Sequence, residues 1–114
     1  MQTDALSEQS INFAVSVISL VKELRQNHEA ILSSQIGRSG TSIGANIREA
    51  QYAQSKADFI SKLQIALKEA NDTQYWLELL YRTGYVDLQH YDRLKKQCVE
   101  LIKILTASIK TAKN

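Results

Sequence analysis

The chain has 114 residues, 44% hydrophobic and 23% charged, which is typical of a single globular domain over residues 1–114. Its net charge of +2 is too small to indicate a nucleic-acid partner by itself, and its one cysteine, Cys98, cannot form an internal disulfide bond. The sequence has no run of about 18 apolar residues and no signal-peptide pattern, so we expect a cytoplasmic protein without a membrane-spanning helix.

The 3.6-residue period of apolar side chains predicts four helices, and the absence of proline allows them to be long. The first helix is expected over residues 7–25, followed by a polar connector at residues 26–29, and the second over residues 30–54. The side of the first helix that we expect to face the core consists of Ile11, Ala14, Ile18, Val21 and Leu24.

The third and fourth helices carry clear start and stop signals. Ser55 is a good N-cap with Asp58 three residues later, and Gly84 suits the left-handed position that ends a helix. Asp87 is the N-cap of a fourth helix that runs to the end of the chain. The connection at residues 84–86 is short, so these two helices should be antiparallel neighbours. The predicted fold is all-α, an antiparallel up-and-down four-helix bundle.

The third helix is apolar on more than one side. One stripe consists of Ile60, Leu63, Leu67, Ala70 and Leu77. A second consists of Phe59, Ala66, Thr73 and Leu80, with Trp76 close by. A bundle helix in a monomer needs one core-facing stripe, so the second stripe indicates either an unusually wide core face or a subunit interface. Glu69 lies on the same side and would need a partner if it were buried.

Three glycines of the second helix, Gly37, Gly40 and Gly44, lie three and four residues apart and therefore share one helical face. Each costs a helix about 1 kcal/mol relative to alanine, so a continuous helix would need close packing to offset the loss. The stretch could instead be a loop, or a loop that cradles a phosphate. The lysine and the strand of a Walker motif are missing, and we favour a seam where another helix packs tightly.

Two blocks of sequence closely resemble the family called 23S rRNA-intervening sequence proteins. The first is residues 38–47 (RSGTSIGANI), and the second is residues 62–70 (KLQIALKEA), followed by Thr73 and residues 75–77 (YWL). The resemblance extends over about residues 11–109. It implies a bacterial four-helix bundle that assembles as a ring, usually a homopentamer, without an assigned activity.

A related branch of these proteins serves diversity-generating retroelements. Its members are basic pentameric barrels that associate with nucleic acid and a reverse transcriptase. This chain departs from that branch because it is only weakly basic.

No catalytic site, metal site or cofactor site is predicted. A di-metal bundle needs repeated Glu-x-x-His pairs, and the nearest pattern is Asp87 with His90, which the N-cap role of Asp87 explains better. His28 falls in a connector, and Cys98 falls on the core side of the fourth helix. We therefore expect a protein that is not an enzyme.

The fourth helix carries a basic line, which we take as the candidate nucleic-acid-binding surface. It consists of Arg93, Lys96, Lys103 and Lys110. The three lysines repeat every seven residues, while Glu100 interrupts the neighbouring row. Such a line is either a solvated helix face or, multiplied in a ring, a surface for sequence-independent phosphate contacts.

The expected function is a non-enzymatic homo-oligomeric scaffold or adaptor with weak sequence-independent binding of RNA or DNA. The alternative is a scaffold that binds only proteins. Candidate subunit-interface or seam residues are Gly37, Arg38, Gly40, Gly44, Phe59, Ala66, Glu69 and Trp76. Arg38 and Glu69 are predicted to be at least half buried in one polar network, with Asn46 and Glu49 nearby.

Overall fold

The computed structural model describes residues 3–114, with side chains from residue 5 onward. Its helices are α1 (Thr3–Gln26), α2 (Ile31–Gln51), α3 (Lys56–Arg82) and α4 (Leu88–Lys113). Each helix packs against the next, α4 packs back against α1, and in this part of the chain the backbones of neither diagonal pair of helices approach closely. The predicted up-and-down four-helix bundle is therefore confirmed, with α2 and α4 at opposite corners.

The helix starts follow the predicted capping signals. The Ser55 hydroxyl accepts a hydrogen bond from the Asp58 backbone N–H at 3.0 Å, and the Asp58 carboxylate accepts one from the Gln54 N–H at 3.2 Å. At the start of α4, the Asp87 carboxylate accepts a hydrogen bond from the His90 N–H at 2.8 Å. These bonds satisfy backbone donors that a helix leaves without internal partners.

Two helices end in the same left-handed turn. Gly84, after α3, has a φ of 86°, as predicted, and the next N–H bonds back to the Leu80 carbonyl at 3.0 Å. His28, after α1, has a φ of 64° and an equivalent bond from the Glu29 N–H to the Leu24 carbonyl. Glycine adopts this backbone conformation without strain, whereas a side chain at this position raises the energy of the turn.

The core side of α1 differs from the predicted one. The side chains of Phe13, Val17 and Leu20 are buried, whereas Ile11 and Ile18 are 41% and 45% exposed. Only Leu24 of the predicted line is fully buried. The first helix has two apolar sides, and the one that contains its only phenylalanine faces the core, where a larger area is removed from water.

On α3 the two apolar stripes merge into one wide core face. Its buried residues are Leu63, Ala66, Ala70, Thr73, Leu77 and Leu80. Ala66 has no exposed surface, so it lies in the core of its own chain and is not available to a second chain; its proposed interface role is wrong. Ile60 and Leu67 of the first stripe are only partly buried.

Candidate interaction surfaces

The three glycines of α2 lie in a continuous helix that packs against α1. A Cβ atom added at Gly40 would lie 2.9 Å from both γ carbons of Val17, and one added at Gly44 would lie 3.0 Å from the Ser10 hydroxyl oxygen. At Gly37 the nearest atom would be a γ carbon of Val21, at 3.3 Å. The stretch is therefore a tight seam inside one chain, and the loop interpretations are wrong.

A buried hydroxyl pair joins α2 to α3. The Thr73 hydroxyl oxygen lies 2.8 Å from that of Ser39 and 2.7 Å from the Glu69 carbonyl oxygen. A carbonyl can only accept, so Thr73 donates to Glu69 and Ser39 donates to Thr73. Both hydroxyls are fully buried and both are paired, which explains how a polar pair is tolerated in the core.

Arg38 and Glu69 form an ion pair between α2 and α3, with 3.1 Å between Nη1 and Oε2. The Glu69 side chain is 13% exposed, but the Arg38 side chain is 54% exposed, so the prediction that both are at least half buried is wrong for Arg38. Asn46 bonds instead to the Ser42 carbonyl, and Glu49 is exposed. The wider network with those two residues is not formed among residues 5–114.

Two buried polar atoms of α3 have no hydrogen-bond partner among the described residues, namely Oε1 of Glu69 and Nε1 of Trp76. The two residues lie seven positions apart and therefore share one side of α3, with Ile65 one turn earlier. Tyr75 packs edge-to-face on Trp76, with ring centroids 5.1 Å apart. Ile65 is 40% exposed and Tyr75 57% exposed. We call Ile65, Glu69, Tyr75 and Trp76 the α3 ridge.

An apolar groove of about 540 Å³ runs between α1 and α2 on the outer surface. It is lined by Ser10, Ile11, Ala14, Val15, Ile18, Thr41, Gly44, Ala45, Arg48 and Glu49. Val15 is 61% exposed, more than either isoleucine. We call this surface the α1/α2 groove. The second apolar side of α1 is its sequence signal, which the prediction assigned to the core.

Phe59 lies apart from Trp76. It is partly buried and lines another apolar groove, of about 400 Å³, between α3 and the last turns of α4. Trp76 lies on the side of α3 that faces α2, as its spacing from Glu69 shows. The structure therefore does not bring these two predicted interface residues onto one surface.

All members of the basic line on α4, Arg93, Lys96, Lys103 and Lys110, are exposed. The neighbouring Lys95 was missed by the prediction. Its ammonium group lies 5.6 Å from the centroid of the Tyr91 ring, and Tyr81 stacks on that ring with centroids 4.7 Å apart. Because the lysine and the second tyrosine already contact Tyr91, the cluster offers little open ring surface to a nucleic-acid base.

The described residues hold no group of three or more metal-ligating side chains. Cys98 is buried, and its thiol donates a hydrogen bond to the Ala70 carbonyl at 3.3 Å. Burial raises the pKa of the Cys98 thiol from 9.0 to about 12, so the reactive thiolate is scarce at neutral pH. None of the described helices contains an apolar stretch long enough to cross a membrane.

These features define a class: an antiparallel helical bundle whose notable surfaces are an apolar groove, an aromatic ridge and a basic line. The profile of the family described as 23S rRNA-intervening sequence protein matches residues 4–107. The chain belongs to this family.

A similar crystal structure, at 1.70 Å resolution, is that of a protein with unknown function from the S23 ribosomal protein family of Bacteroides thetaiotaomicron VPI-5482. The two chains are 51% identical, with a TM-score of 0.94, over 96% of this chain and 99% of the other. No curated protein matches the sequence.

Proposed function

We propose that the protein is a non-enzymatic scaffold that works as a homo-oligomer. The observation that carries the proposal is the α1/α2 groove, where Ile11, Val15 and Ile18 are each more than two-fifths exposed. Exposed apolar side chains that line one continuous groove are typical of an interaction site, whereas single exposed ones are ordinary. The family resemblance adds the expectation of a ring, usually a pentamer.

Light scattering on size-exclusion fractions tests the proposal. We expect the parent protein to have several times the 12.9 kDa mass of one chain. Val15→Glu places a charge in the groove and should dissociate the assembly, because a charge without a partner is costly in an apolar interface. Leu88→Glu is the matched control: Leu88 is similarly exposed, at 55%, but lies at the start of α4, which contributes no residue to the groove.

A parent protein that runs as a monomer at micromolar concentration would refute the scaffold assembly. So would equal dissociation by Val15→Glu and Leu88→Glu, since the effect would then not depend on the groove. Far-UV circular dichroism and a thermal melt of each variant separate loss of assembly from loss of fold.

The basic line of α4 favours a second activity, weak and sequence-independent binding of RNA or DNA. Its four cations are exposed, and oligomerisation would multiply them. Asp92 and Glu100, both exposed on the same helix, reduce the local positive charge, so the affinity should be low. Each neutralised phosphate should contribute about 0.9 units to the salt slope of log affinity on duplex DNA.

Fluorescence anisotropy with a labelled oligonucleotide at low salt measures this activity. The triple variant Lys96→Glu, Lys103→Glu and Lys110→Glu should abolish binding and keep the fold, because these side chains face away from the core. A control with Lys22, Arg25 and Lys56 changed to Glu alters the net charge equally on exposed sites elsewhere. If the parent binds neither RNA nor DNA, the function is that of a scaffold for proteins alone.

A further inference from the structure

We infer that the α1/α2 groove of one copy receives the α3 ridge of a second copy, so that each contact joins two different surfaces of the same chain. The inference rests on the proposed homo-oligomer and specifies its contact. Both surfaces are on the described chain: the groove is lined by Val15, and the ridge carries Ile65 and Trp76.

The shapes of the two surfaces favour this pairing over a symmetric one. The groove is concave, with about 540 Å³ of open space. Two grooves placed face to face would enclose a void, where the lining side chains have no atoms to contact. Ile65 and Tyr75 protrude from α3, since they are 40% and 57% exposed, and side chains of this size can fill such a space.

The polar groups of the two surfaces are also complementary. Within the part of the chain that the structure describes, Oε1 of Glu69 lacks a donor and Nε1 of Trp76 lacks an acceptor. The rim of the groove carries Arg48, which can donate hydrogen bonds, and Glu49, which can accept them. Both side chains are exposed, and neither forms an ion pair among the described residues. The Glu69 side chain is 13% exposed, so its unpaired Oε1 atom lies just beneath the surface that the second copy would cover.

The outer face of α4 is a poor surface for self-association. It carries the exposed cations Arg93, Lys96, Lys103 and Lys110, and two such faces would repel each other. Leu88, in its first turn, is the one large exposed apolar side chain of α4 in the part of the helix that the structure describes. Six others lie on α1, α2 and α3: Ile11, Val15, Ile18, Ile31, Ile65 and Tyr75.

The position of α2 determines what such contacts build. α2 packs against both α1 and α3, so the groove and the ridge lie on the two bundle faces that adjoin it. Successive copies therefore turn in one direction, and a head-to-tail contact whose rotation closes builds a ring with α2 toward the axis and α4, with its basic line, on the outer rim.

Trp76 is the single tryptophan of the chain and reports directly on this contact. We expect Val15→Glu, which alters the groove, to increase acrylamide quenching of Trp76 several-fold relative to the parent, because the groove of one copy shields Trp76 of the next. Leu88→Glu should leave the quenching unchanged. If Val15→Glu dissociates the assembly and Trp76 quenching does not change, the groove does not receive the ridge and the inference is overturned.

Mixing two variants provides the second measurement. Val15→Glu retains an intact ridge and Ile65→Glu retains an intact groove, so each alone should be monomeric, whereas an equimolar mixture should form a heterodimer through one intact contact. A mixture that stays monomeric, or an Ile65→Glu variant that assembles like the parent, refutes the inference while leaving a homo-oligomeric scaffold in place. A monomeric parent refutes both.

Discussion

Replacing Gly40 with alanine should destabilise the protein although alanine is the better helix former. The added Cβ would lie 2.9 Å from both γ carbons of Val17, closer than carbon atoms approach without repulsion. Val17 is fully buried and β-branched, so it cannot rotate away without disturbing its neighbours. Alanine gains about 1 kcal/mol in helix propensity, whereas overpacking costs about 1–3 kcal/mol, so the net loss should reach up to about 2 kcal/mol.

Urea denaturation at matched protein concentration measures this loss, since assembly makes the apparent stability depend on concentration. Gly37→Ala is the control, because its Cβ would be 3.3 Å from one γ carbon of Val21, which is only partly buried. We expect that variant to be neutral or slightly more stable. A double-mutant cycle of Gly40→Ala with Val17→Ala should show favourable coupling, because removing the γ carbons relieves the clash. A Gly40→Ala protein that is about 1 kcal/mol more stable than the parent would refute the seam, since propensity alone predicts that gain.

Three further predictions follow from single contacts. A double-mutant cycle of Arg38→Ala and Glu69→Ala should give a coupling free energy of about 0.2–1 kcal/mol, because the arginine is more than half exposed. This coupling should fall with added salt. A coupling of zero would mean that the ion pair is not formed in solution. His28→Gly should stabilise the protein by about 0.5–1 kcal/mol in urea denaturation, because glycine adopts a φ of 64° without strain. Gly84→Ala should destabilise the protein for the same reason. Stability changes of the opposite sign would contradict the left-handed turns. The Cys98 thiol should resist labelling at neutral pH until the protein unfolds. Burial raises the pKa of the Cys98 thiol, so the thiol of the unfolded chain ionises at a lower pH than that of the folded chain. The parent should therefore lose stability relative to Cys98→Ala as the pH rises from 9.0 toward about 12. If the stabilities of the two proteins change in parallel with pH, the thiol is not buried in solution.

The sequence alone was sufficient to predict the number of helices, their antiparallel order and most of their ends. These features depend on short-range interactions. Ser55 and Asp87 cap the helices that follow them through bonds to backbone groups three residues away, and Gly84 provides a left-handed turn from its own backbone freedom. The close packing at Gly40 was also predicted, because only contact with another helix offsets the cost of a helical glycine.

The tertiary structure decided which surfaces face inward. Periodicity shows that α1 has two apolar sides, but only packing against the other helices selects Phe13 and Val17 for the core and leaves Val15 exposed. Arg38 and Glu69 were expected in one polar network, but only the structure shows that they form a single ion pair with an exposed arginine, because local spacing carries no information about the distance between residues 31 positions apart. The groove exists only once α1 and α2 lie side by side, because it combines side chains from both helices, whereas the ridge lies on α3 alone.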